Sequence, residues 1–460
     1  MLTSEGNVAA RLDRLPFSRS LWKLVVLISL GGAFELYDIF LATYITPGLV
    51  ASHLFTSTPS GFFAIDSVGF FVSCNFAGMF LGCLGFGYVA DRLGRRSIFV
   101  FSLLWYSVCS GIMAMQSSAA SIDLWRFLAG IGVGLEQVTI DTFLPEIVPP
   151  EGRGRAFAFY QFLEFCAVPV VALFGWLLVP RQPFGIDGWR WVTLIGATGA
   201  IIVWWLRRRL PESPRWLAVH GREKEAERVL ADLEAGAVRD TGKPLPEPAR
   251  EIAPAAAKSG TFGELLRPPY ARRTLVLSIF NLMQTVAFYG FGSWVPTLLI
   301  AKGIFVTTSQ KYAFIIAIAN PVGPFLGMLV ADRMERKWQI VSAGIAIAIS
   351  ATLFANQSDA VLIIVFGVAV TLANNWMSFA FHNYQGELFP TRVRARAVGF
   401  VYSWSRVSAA CASLVINFLL VRGGAPAVGA FIALAMAVMT TVIAGFGPRT
   451  RNLALEEISE

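Results

Sequence analysis

The sequence has few charged residues. Asp, Glu, Lys and Arg make up 15% of its 460 residues, whereas soluble proteins contain about 25%. Hydrophobic residues make up 55%, with 37 Phe and 13 Trp, and aromatic side chains are frequent in membrane spans and at their interfaces. The composition therefore excludes an ordinary soluble protein and favours a chain that lies in a lipid bilayer.

The sequence also lacks the residue patterns of several chemical sites. Its five Cys have no metal-ligand spacing and all fall inside apolar runs, which predicts unpaired packing residues. It has no nucleotide-binding glycine loop, no metal site and no catalytic constellation, so we expect neither an enzyme nor a cofactor. The net charge of +8 does not indicate a nucleic-acid partner, because the basic residues lie in short turns between apolar runs.

Long apolar runs divide the chain into candidate membrane spans, each of which needs about 20 residues. The polar, Pro-rich segment 211–272 separates six spans from six more and predicts a cytoplasmic linker with short amphipathic helices around 212–235. We expect an all-α membrane protein with twelve transmembrane helices in two bundles, 21–210 and 273–446, between tails 1–20 and 447–460. The candidate spans are 21–49, 66–90, 97–116, 122–146, 156–180, 191–207, 273–300, 311–332, 338–356, 360–386, 397–421 and 425–446.

Two charged turns recur at a constant spacing. The turn Asp91–Arg96 resembles Asp332–Lys337, and 332 − 91 = 241. The same spacing relates Glu146–Pro149 to Glu387–Pro390. The chain is therefore two copies of one unit, which in an apolar chain suggests a transporter with its site between two bundles.

Lys and Arg in the loops predict the orientation. One set of loops is rich in Arg, whereas the opposite loops at 50–65 and 117–121 contain neither Lys nor Arg. The positive-inside rule places the Arg-rich side and both termini in the cytoplasm, and a bacterial inner membrane is the expected location.

The acids beside these Arg residues need a second explanation, because orientation accounts only for the Arg. An acid at a helix end can pair with Arg from a neighbouring turn. Such an ion network would hold the two bundles together in one state and release them in another. The residues expected in this gating network are Asp91, Arg92, Arg95, Arg96, Glu146, Arg153, Asp332, Arg333, Glu387 and Arg394.

Ionisable residues inside spans cost about 2.5–3.5 kcal/mol each, so by default they mark a pathway. Glu35 and Asp38 share one face of the first span. Asp38 lies about 25 Å along that helix, and Arg126 in an antiparallel span reaches a similar depth. An Asp38–Arg126 pair could couple proton binding to conformation, or it could only hold helices together. Glu136, about 15 Å from Arg126, is a second proton site, a substrate contact or a structural hydrogen bond.

Arg406 is a cation in the middle of the second half. It suits a substrate carboxylate, which Arg can bind through two hydrogen bonds, or it pairs with an acid of the other bundle. Polar and aromatic residues of nearby spans suit a pocket for a ring-bearing or polyhydroxy solute, although each could be an interhelical contact. These candidates are Gln161, Asn281, Gln284, Tyr289, Asn374, Asn375, Trp376 and His382.

The chain resembles the major facilitator superfamily over nearly its whole length. Gly87–Arg96 fits the pattern G-x-x-x-D-R-x-G-R-[RK] at every fixed position, and Asp332–Lys337 is similar to its degraded second copy. Pro211–Leu217 looks like a motif of the branch that holds sugar porters and organic-ion carriers. Phe34–Phe40, with Glu35 in place of an Asp, and Arg126–Glu136 are similar to motifs of aromatic-acid, metabolite and phosphate proton symporters.

This resemblance implies that Asp38 and Arg126 couple protons and that Arg406 binds substrate or acts in gating. Met283 precedes Gln284 where sugar porters have a Gln-Gln pair. We therefore expect a secondary transporter that moves a small organic or aromatic acid by proton symport and alternating access. It would work as a monomer with substrate, protons and lipid as its partners. A sugar or polyol symporter is one alternative, and a non-transporting membrane sensor is an alternative of a different class.

Overall fold

The computed structural model describes residues 4–56, 61–208, 210–248, 262–268, 270–324, 334–389 and 391–449. Within these residues the chain is almost entirely helical, and Thr56 and Ser67 form an isolated β-bridge. Helices are expected for a chain in lipid, because a helix satisfies its backbone N–H and C=O groups internally. The all-α prediction is confirmed.

The first half of the chain contains a short helix and six long ones. They are α1 (Ser4–Asp13), α2 (Arg19–Ala51), α3 (Val68–Leu93), α4 (Arg95–Met113), α5 (Ala119–Ile147), α6 (Pro150–Leu178) and α7 (Gly188–Arg207). Ser18, Ser67 and Ser118 precede α2, α3 and α5, and each hydroxyl accepts a hydrogen bond from a backbone N–H of the first turn. These serines supply the N-terminal caps that the sequence needs to start each helix.

The second half follows two shorter helices, α8 (Pro214–Val219) and α9 (Glu223–Thr241). Its own helices are α10 (Tyr270–Gly292), α11 (Val295–Ala301), α12 (Val306–Ala317), α13 (Arg336–Asn356), α14 (Ala360–Glu387) and α15 (Thr391–Phe446). The 56-residue α15 turns at Gly424, whose φ of 63° is a conformation that glycine adopts without strain. It therefore contains two membrane-crossing segments.

By length and composition, nine helices of the described residues can cross a membrane. This number includes α15 as a single helix, although Gly424 divides it. It leaves out α3, whose apolar part is the shorter Val68–Leu84, and α12, which precedes the undescribed residues 325–333. With these additions the helices correspond to the twelve spans that the sequence predicts.

Glycines bring α3 and α5 into direct backbone contact. A Cβ at Gly78 would overlap the carbonyl oxygen of Phe127, and one at Gly130 would overlap that of Asn75. Small residues allow this close approach of membrane helices. In this close packing the Arg126 guanidinium of α5 lies 5.9 Å from the centroid of the Phe71 ring on α3.

The two halves of the chain touch at the end that we call the far side, where α2 ends and α3 begins. Gln310 of α12 donates a hydrogen bond to the Tyr44 carbonyl of α2 at 2.8 Å. Trp176 of α6 stacks on Phe314 of α12 with ring centroids 5.7 Å apart. Ser73 of α3 donates to the backbone of α15. These contacts hold the far-side ends of the halves together.

The other end, which we call the basic side, carries the turn Gly94–Arg96 and a small helical unit formed by α1, α8 and α9. The apolar core of this unit includes Leu12, Trp216 and Leu230, which are all buried. From the sequence, only short linker helices near 212–235 are expected. In the structure α9 extends to Thr241 and α1 packs on both linker helices.

Ion pairs fasten α1 to α9. Arg11 pairs with Glu227 and Glu234, each at 2.7 Å, and Arg14 pairs with Glu234 at 2.6 Å. Burial opposes ionisation of Glu234, but the hydrogen bonds from the two Arg residues outweigh it and lower the pKa of this carboxyl. A lowered pKa means that the contribution to docking is present at neutral pH and is lost as the pH falls through the folded-state pKa.

We expect Glu234→Gln to weaken the docking of α1 by about 1 kcal/mol, because it removes the carboxylate shared by two Arg residues. The measurement is amide hydrogen exchange of residues 4–13, which should speed up roughly fivefold. Glu225→Gln is the matched control, since Glu225 pairs with Arg222 within its own segment. Equal exchange in wild type and Glu234→Gln would show that the apolar core alone holds α1.

Candidate functional site

Asp38 and Arg126 form a buried ion pair between α2 and α5. Arg126 Nη1 donates to Asp38 Oδ2 at 2.8 Å, and Arg126 Nη2 donates to the Asp38 backbone carbonyl at 2.5 Å. The side chains are 0% and 6% exposed, respectively. The two residues that the sequence analysis placed at similar depth are thus in contact, and the coupling role assigned to them stays a prediction.

The other carboxylate oxygen of Asp38, Oδ1, accepts a hydrogen bond from the Ser110 hydroxyl of α4 at 2.8 Å. A cation and a hydroxyl donor together suit an ionised Asp38, which can only accept hydrogen bonds. Breaking a buried pair by removing one partner costs about 3–5 kcal/mol, because the other charge is left uncompensated. Asp38 and Arg126 can therefore separate only if Asp38 gains a proton or Arg126 gains another acceptor.

A small cavity adjoins this pair inside the first half, with about 10 Å³ open to a water-sized sphere. Asp38, Tyr106, Ser107, Ser110 and Thr193 are among the residues that line it. This is about the smallest space that holds one water molecule, and the hydroxyl and carboxylate groups around it offer the polar partners that a water needs. The cavity thus gives Asp38 a polar environment through which a proton can reach it.

A second buried ion pair joins α5 to α7. Arg207 Nη1 donates to Glu136 Oε1 at 2.6 Å, and both side chains are 0% exposed. Arg207 also donates to the carbonyls of Phe99 and Ile28 at 3.3 and 3.1 Å, so one guanidinium links α2, α4, α5 and α7. Arg207 is not evident as a site residue from the sequence, because it begins the run Arg207–Arg209 and resembles part of a basic loop. Glu136 without a nearby cation was the signal that could have found it.

Arg406 lies buried between the two halves and is 1% exposed. Its Nη1 donates to the Tyr289 hydroxyl at 3.0 Å, and its Nη2 donates to Tyr402 on its own helix at 3.3 Å and to Gln137 Oε1 of α5. Within the part of the chain that the structure describes, no carboxylate pairs with it. An acid of the other bundle is one partner that the sequence suggests for Arg406. In the structure the neutral Gln137 of the other bundle contacts Arg406, and Gln137 is not among the predicted site residues.

A larger cavity, with about 390 Å³ not occupied by atoms, lies between the halves. Aromatic rings line it from both halves, including Phe40 and Tyr44 of α2 and Phe288 of α10. Its polar lining comes from the second half: Asn320, Thr371, Asn374 and Asn375. Aromatic rings with a few amide and hydroxyl groups are the usual lining of a small-molecule site, but only about 30 Å³ of this space is open to a water-sized sphere, well below the usual volume of about 300–1,000 Å³. Tyr289, which contacts Arg406, directly follows Phe288, so the cavity and Arg406 are neighbours along α10.

The structure brings only some predicted pocket residues to this cavity. Asn374 and Asn375 line it, and Tyr289 lies beside it. The others are not among its lining residues. Asn281 and Gln284 form hydrogen bonds within α10, Trp376 donates to Gln339 of α13 at 3.3 Å, His382 contacts the Ser378 carbonyl, and Gln161 is half-buried on α6.

The structure describes some, but not all, of the residues expected in the gating network. Arg95 pairs with Glu146 at 3.3 Å, and Arg153 approaches Asp13 at 3.9 Å. The Arg96 backbone N–H donates to Glu212 at 3.0 Å. All of these contacts join elements of the first half, its terminal helix or the linker that follows. Asp332 and Arg333 lie outside the described residues, as do the side chains of Asp91, Glu387 and Arg394. Arg92 lies exposed near the end of α3.

The chain matches the family described as "Sugar (and other) transporter" over residues 24–460. It is 29% identical to YyaJ of Bacillus subtilis, described as a metabolite transport protein, over 97% of this chain and 96% of YyaJ. It is 27% identical to the niacin transporter NiaP of Acinetobacter baylyi, over 98% of this chain and 99% of NiaP. Its fold is similar to that of the xylose transporter XylE from E. coli in a partially occluded, inward-open conformation. That structure has a TM-score of 0.75 at 18% identity and covers 94% of this chain and 99% of XylE.

We expect Gly31→Ala to destabilise the protein, because a Cβ at Gly31 would overlap the Arg207 guanidinium and displace it from Glu136. Loss of a buried pair costs about 3–5 kcal/mol, so the melting temperature in detergent should fall clearly. Gly154→Ala is the control, since a Cβ there meets nothing within 4 Å. A melting temperature equal to that of the control would show that Arg207 adjusts without loss.

Proposed function

The chain belongs to the sugar (and other) transporter family, within the major facilitator superfamily, and from this premise we propose that it carries a small organic acid together with protons. It is a multi-pass integral membrane transporter of metabolites or sugars and not an enzyme. The buried Asp38–Arg126 pair is the observation that most directly supports proton coupling.

Proton coupling follows from the chemistry of this pair. Asp38 faces the polar cavity beside Ser110, so it can take up a proton without leaving the interior. A protonated Asp38 no longer attracts Arg126 as a carboxylate does, which loosens α2 from α5. A carrier needs this link, because proton binding must favour one conformation over the other. An ion pair that only holds helices together needs no polar cavity beside it. The cavity next to Asp38 therefore favours proton exchange over a purely structural role.

Arg406 supports an acidic substrate. Its described partners are two hydroxyls and an amide, so its positive charge is not cancelled by a carboxylate among the described residues. A substrate carboxylate can exchange for these neutral partners and form charge-assisted hydrogen bonds, which are roughly twice as strong as neutral ones. Arg406 therefore selects for a negative group on the solute.

The neighbouring cavity supports a solute that also carries a ring. Phe40, Tyr44 and Phe288 offer flat apolar surfaces, and Asn374 and Asn375 offer amide groups. NiaP, a relative at 27% identity, is named a niacin transporter, and niacin is an aromatic ring that bears one carboxylate. We take an aromatic acid of this size as the first substrate to test.

A sugar or polyol is the second candidate substrate. The observation in its favour is the row of Asn320, Thr371, Asn374 and Asn375 in the cavity wall, since amides and hydroxyls suit hydroxylated solutes. A sensor with this fold is the candidate of a different class. Uptake into sealed vesicles separates them, because a sensor binds its ligand without accumulating it.

The orientation belongs to the proposal as well. The Arg residues of the basic side support a cytoplasmic location for this side and for α1, in a bacterial plasma membrane. The far-side contacts of Gln310 with Tyr44 and of Trp176 with Phe314 must then part to admit solute from outside. The monomer contains both halves of the site, so it is the transporting unit.

We expect Asp38→Asn to abolish proton-driven uptake of nicotinate into proteoliposomes but to spare counterflow exchange, because Asn cannot carry the proton. Accumulation should fall at least tenfold under an inward proton gradient. Asp232→Asn, on the exposed face of α9, is the matched control and should accumulate like wild type. Undiminished accumulation in Asp38→Asn would refute the coupling role.

We expect Arg406→Ala to weaken binding of nicotinate far more than binding of its neutral amide, nicotinamide. The loss for the acid should be about 1.5–3 kcal/mol, the value of a hydrogen bond to a charged group. Thermal-shift titration of purified protein measures both ligands, and Arg422→Ala, beside Phe418 near the end of its helix segment, is the control. Equal losses for acid and amide would show that Arg406 does not bind the carboxylate.

A further inference from the structure

Asp123 is a further carboxyl group inside the membrane region, in addition to Glu35, Asp38 and Glu136, and it belongs neither to the sequence motifs nor to the proposed coupling pair. It is the fifth residue of α5 and is only 3% exposed. Within the described part of the chain, neither of its carboxylate oxygens accepts a hydrogen bond. An ionised carboxylate in such surroundings would be uncompensated, so the group is held in its neutral form here.

Capping of the helix does not explain this residue. Ser118 caps α5 and accepts from the backbone N–H of Ser121 at 3.4 Å. An acid near a helix start usually contributes by accepting from a free N–H of the first turn. Asp123 makes no such bond. Its burial therefore needs a reason other than the start of the helix.

The neighbour that gives Asp123 a role is Arg126. The two residues are three positions apart on α5, so they lie on one helix face with Cβ atoms about 5–6 Å apart. Arg126 uses Nη1 and Nη2 on α2, while its Nε has no hydrogen-bond partner among the described residues. Cys74 of α3 lies within electrostatic reach of both Asp123 and Arg126. The Arg126 Nε–H, which is free to donate, therefore lies near the Asp123 carboxyl group, whose two oxygens are free to accept.

The other titratable groups near this site in the described residues come from α2, α3 and α4. Cys74 of α3 lies within electrostatic reach of Asp123 and Arg126, and Asp38 of α2 pairs with Arg126. Tyr37 of α2 and Tyr106 and Cys109 of α4 lie within electrostatic reach of Asp38, and Glu35 of α2 lies within reach of Tyr106. Arg126 is the one cation of this group, and it therefore lies between two carboxyl groups, one on α2 and one on its own helix.

We propose that Asp123 is the alternative partner of Arg126 and delivers the coupling proton to Asp38. Neutral Asp123 loses its proton as ionised Asp38 gains one, and Arg126 moves its ion pair from Asp38 to Asp123. One carboxylate, one carboxylic acid and one guanidinium are present before and after, so the interior never holds an unpaired charge. This inference rests on the proposed proton symport.

The position of Asp123 sets the direction of the transfer. It lies three residues closer to the far-side end of α5 than Arg126 does, about 4.5 Å along the helix axis. A proton that enters from the far side therefore meets Asp123 before Asp38. Transfer to Asp38 then carries the proton inward and releases α2 from Arg126 in the same step.

The decisive measurement is infrared spectroscopy of the carboxylic-acid C=O band in detergent at neutral pH, which needs no substrate. Wild type should show a band of protonated Asp123 that is absent from Asp123→Asn. In Asp38→Asn the same band should disappear, because Arg126 has lost its first partner and Asp123 ionises to replace it. A band that persists in Asp38→Asn at wild-type intensity would overturn the proposal.

Transport of nicotinate gives the second readout. Asn is nearly isosteric with a neutral Asp, so a purely structural role predicts wild-type behaviour for Asp123→Asn. The proposal instead predicts that proton-driven accumulation falls at least tenfold while counterflow continues, and that Asp123→Glu restores part of the accumulation. Asp66→Asn, in an exposed loop on the far side, is the control.

The two proposals fail in different ways. Normal accumulation in Asp38→Asn contradicts proton symport itself. Loss of accumulation in Asp38→Asn together with normal accumulation in Asp123→Asn contradicts only the role of Asp123. If Asp123→Asn does not fold, Asp123→Glu decides: its acid band must shift relative to wild type and must vanish when Asp38→Asn is added.

Discussion

A charge buried inside a membrane protein is costly unless other groups compensate it, and this constraint organises the first half of the chain. Arg126 and Arg207 are fully buried, and each pairs with an acid on another helix. Glycine makes room for one of these cations, because a Cβ at Gly31 of α2 would overlap the Arg207 guanidinium. The packing of the bundle therefore serves to keep two cations within reach of their acids.

The two halves of the chain use their buried cations differently. In the first half Arg126 and Arg207 face carboxylates, whereas in the second half Arg406 faces hydroxyl and amide groups. Carboxylates can exchange protons, and a cation with neutral partners can exchange them for an anion. Under the proposed function, the first half would handle protons and the second half would bind the acidic solute, with the larger cavity between them.

The sequence predicted the helices well, because lipid requires long apolar runs and these are visible directly. It also brought Asp38 and Arg126 together, since depth along a helix follows from counting residues at about 1.5 Å each. It did not identify Arg207, Gln137 or Asp123. Depth alone does not give the direction in which a side chain points or the neighbour it meets. Trp376 shows the same limit, because its indole N–H bonds to Gln339 outside the cavity lining.

The contact of Arg406 with Gln137 has a consequence for the speed of the carrier. It joins the two halves in the middle of the protein, and its acceptor is a neutral amide. Separating an amide from a guanidinium leaves no orphaned anion behind, so either arrangement of the halves is accessible at a modest cost. The absence of charge at position 137 therefore keeps this contact between the halves from opposing their separation as strongly as a buried ion pair would.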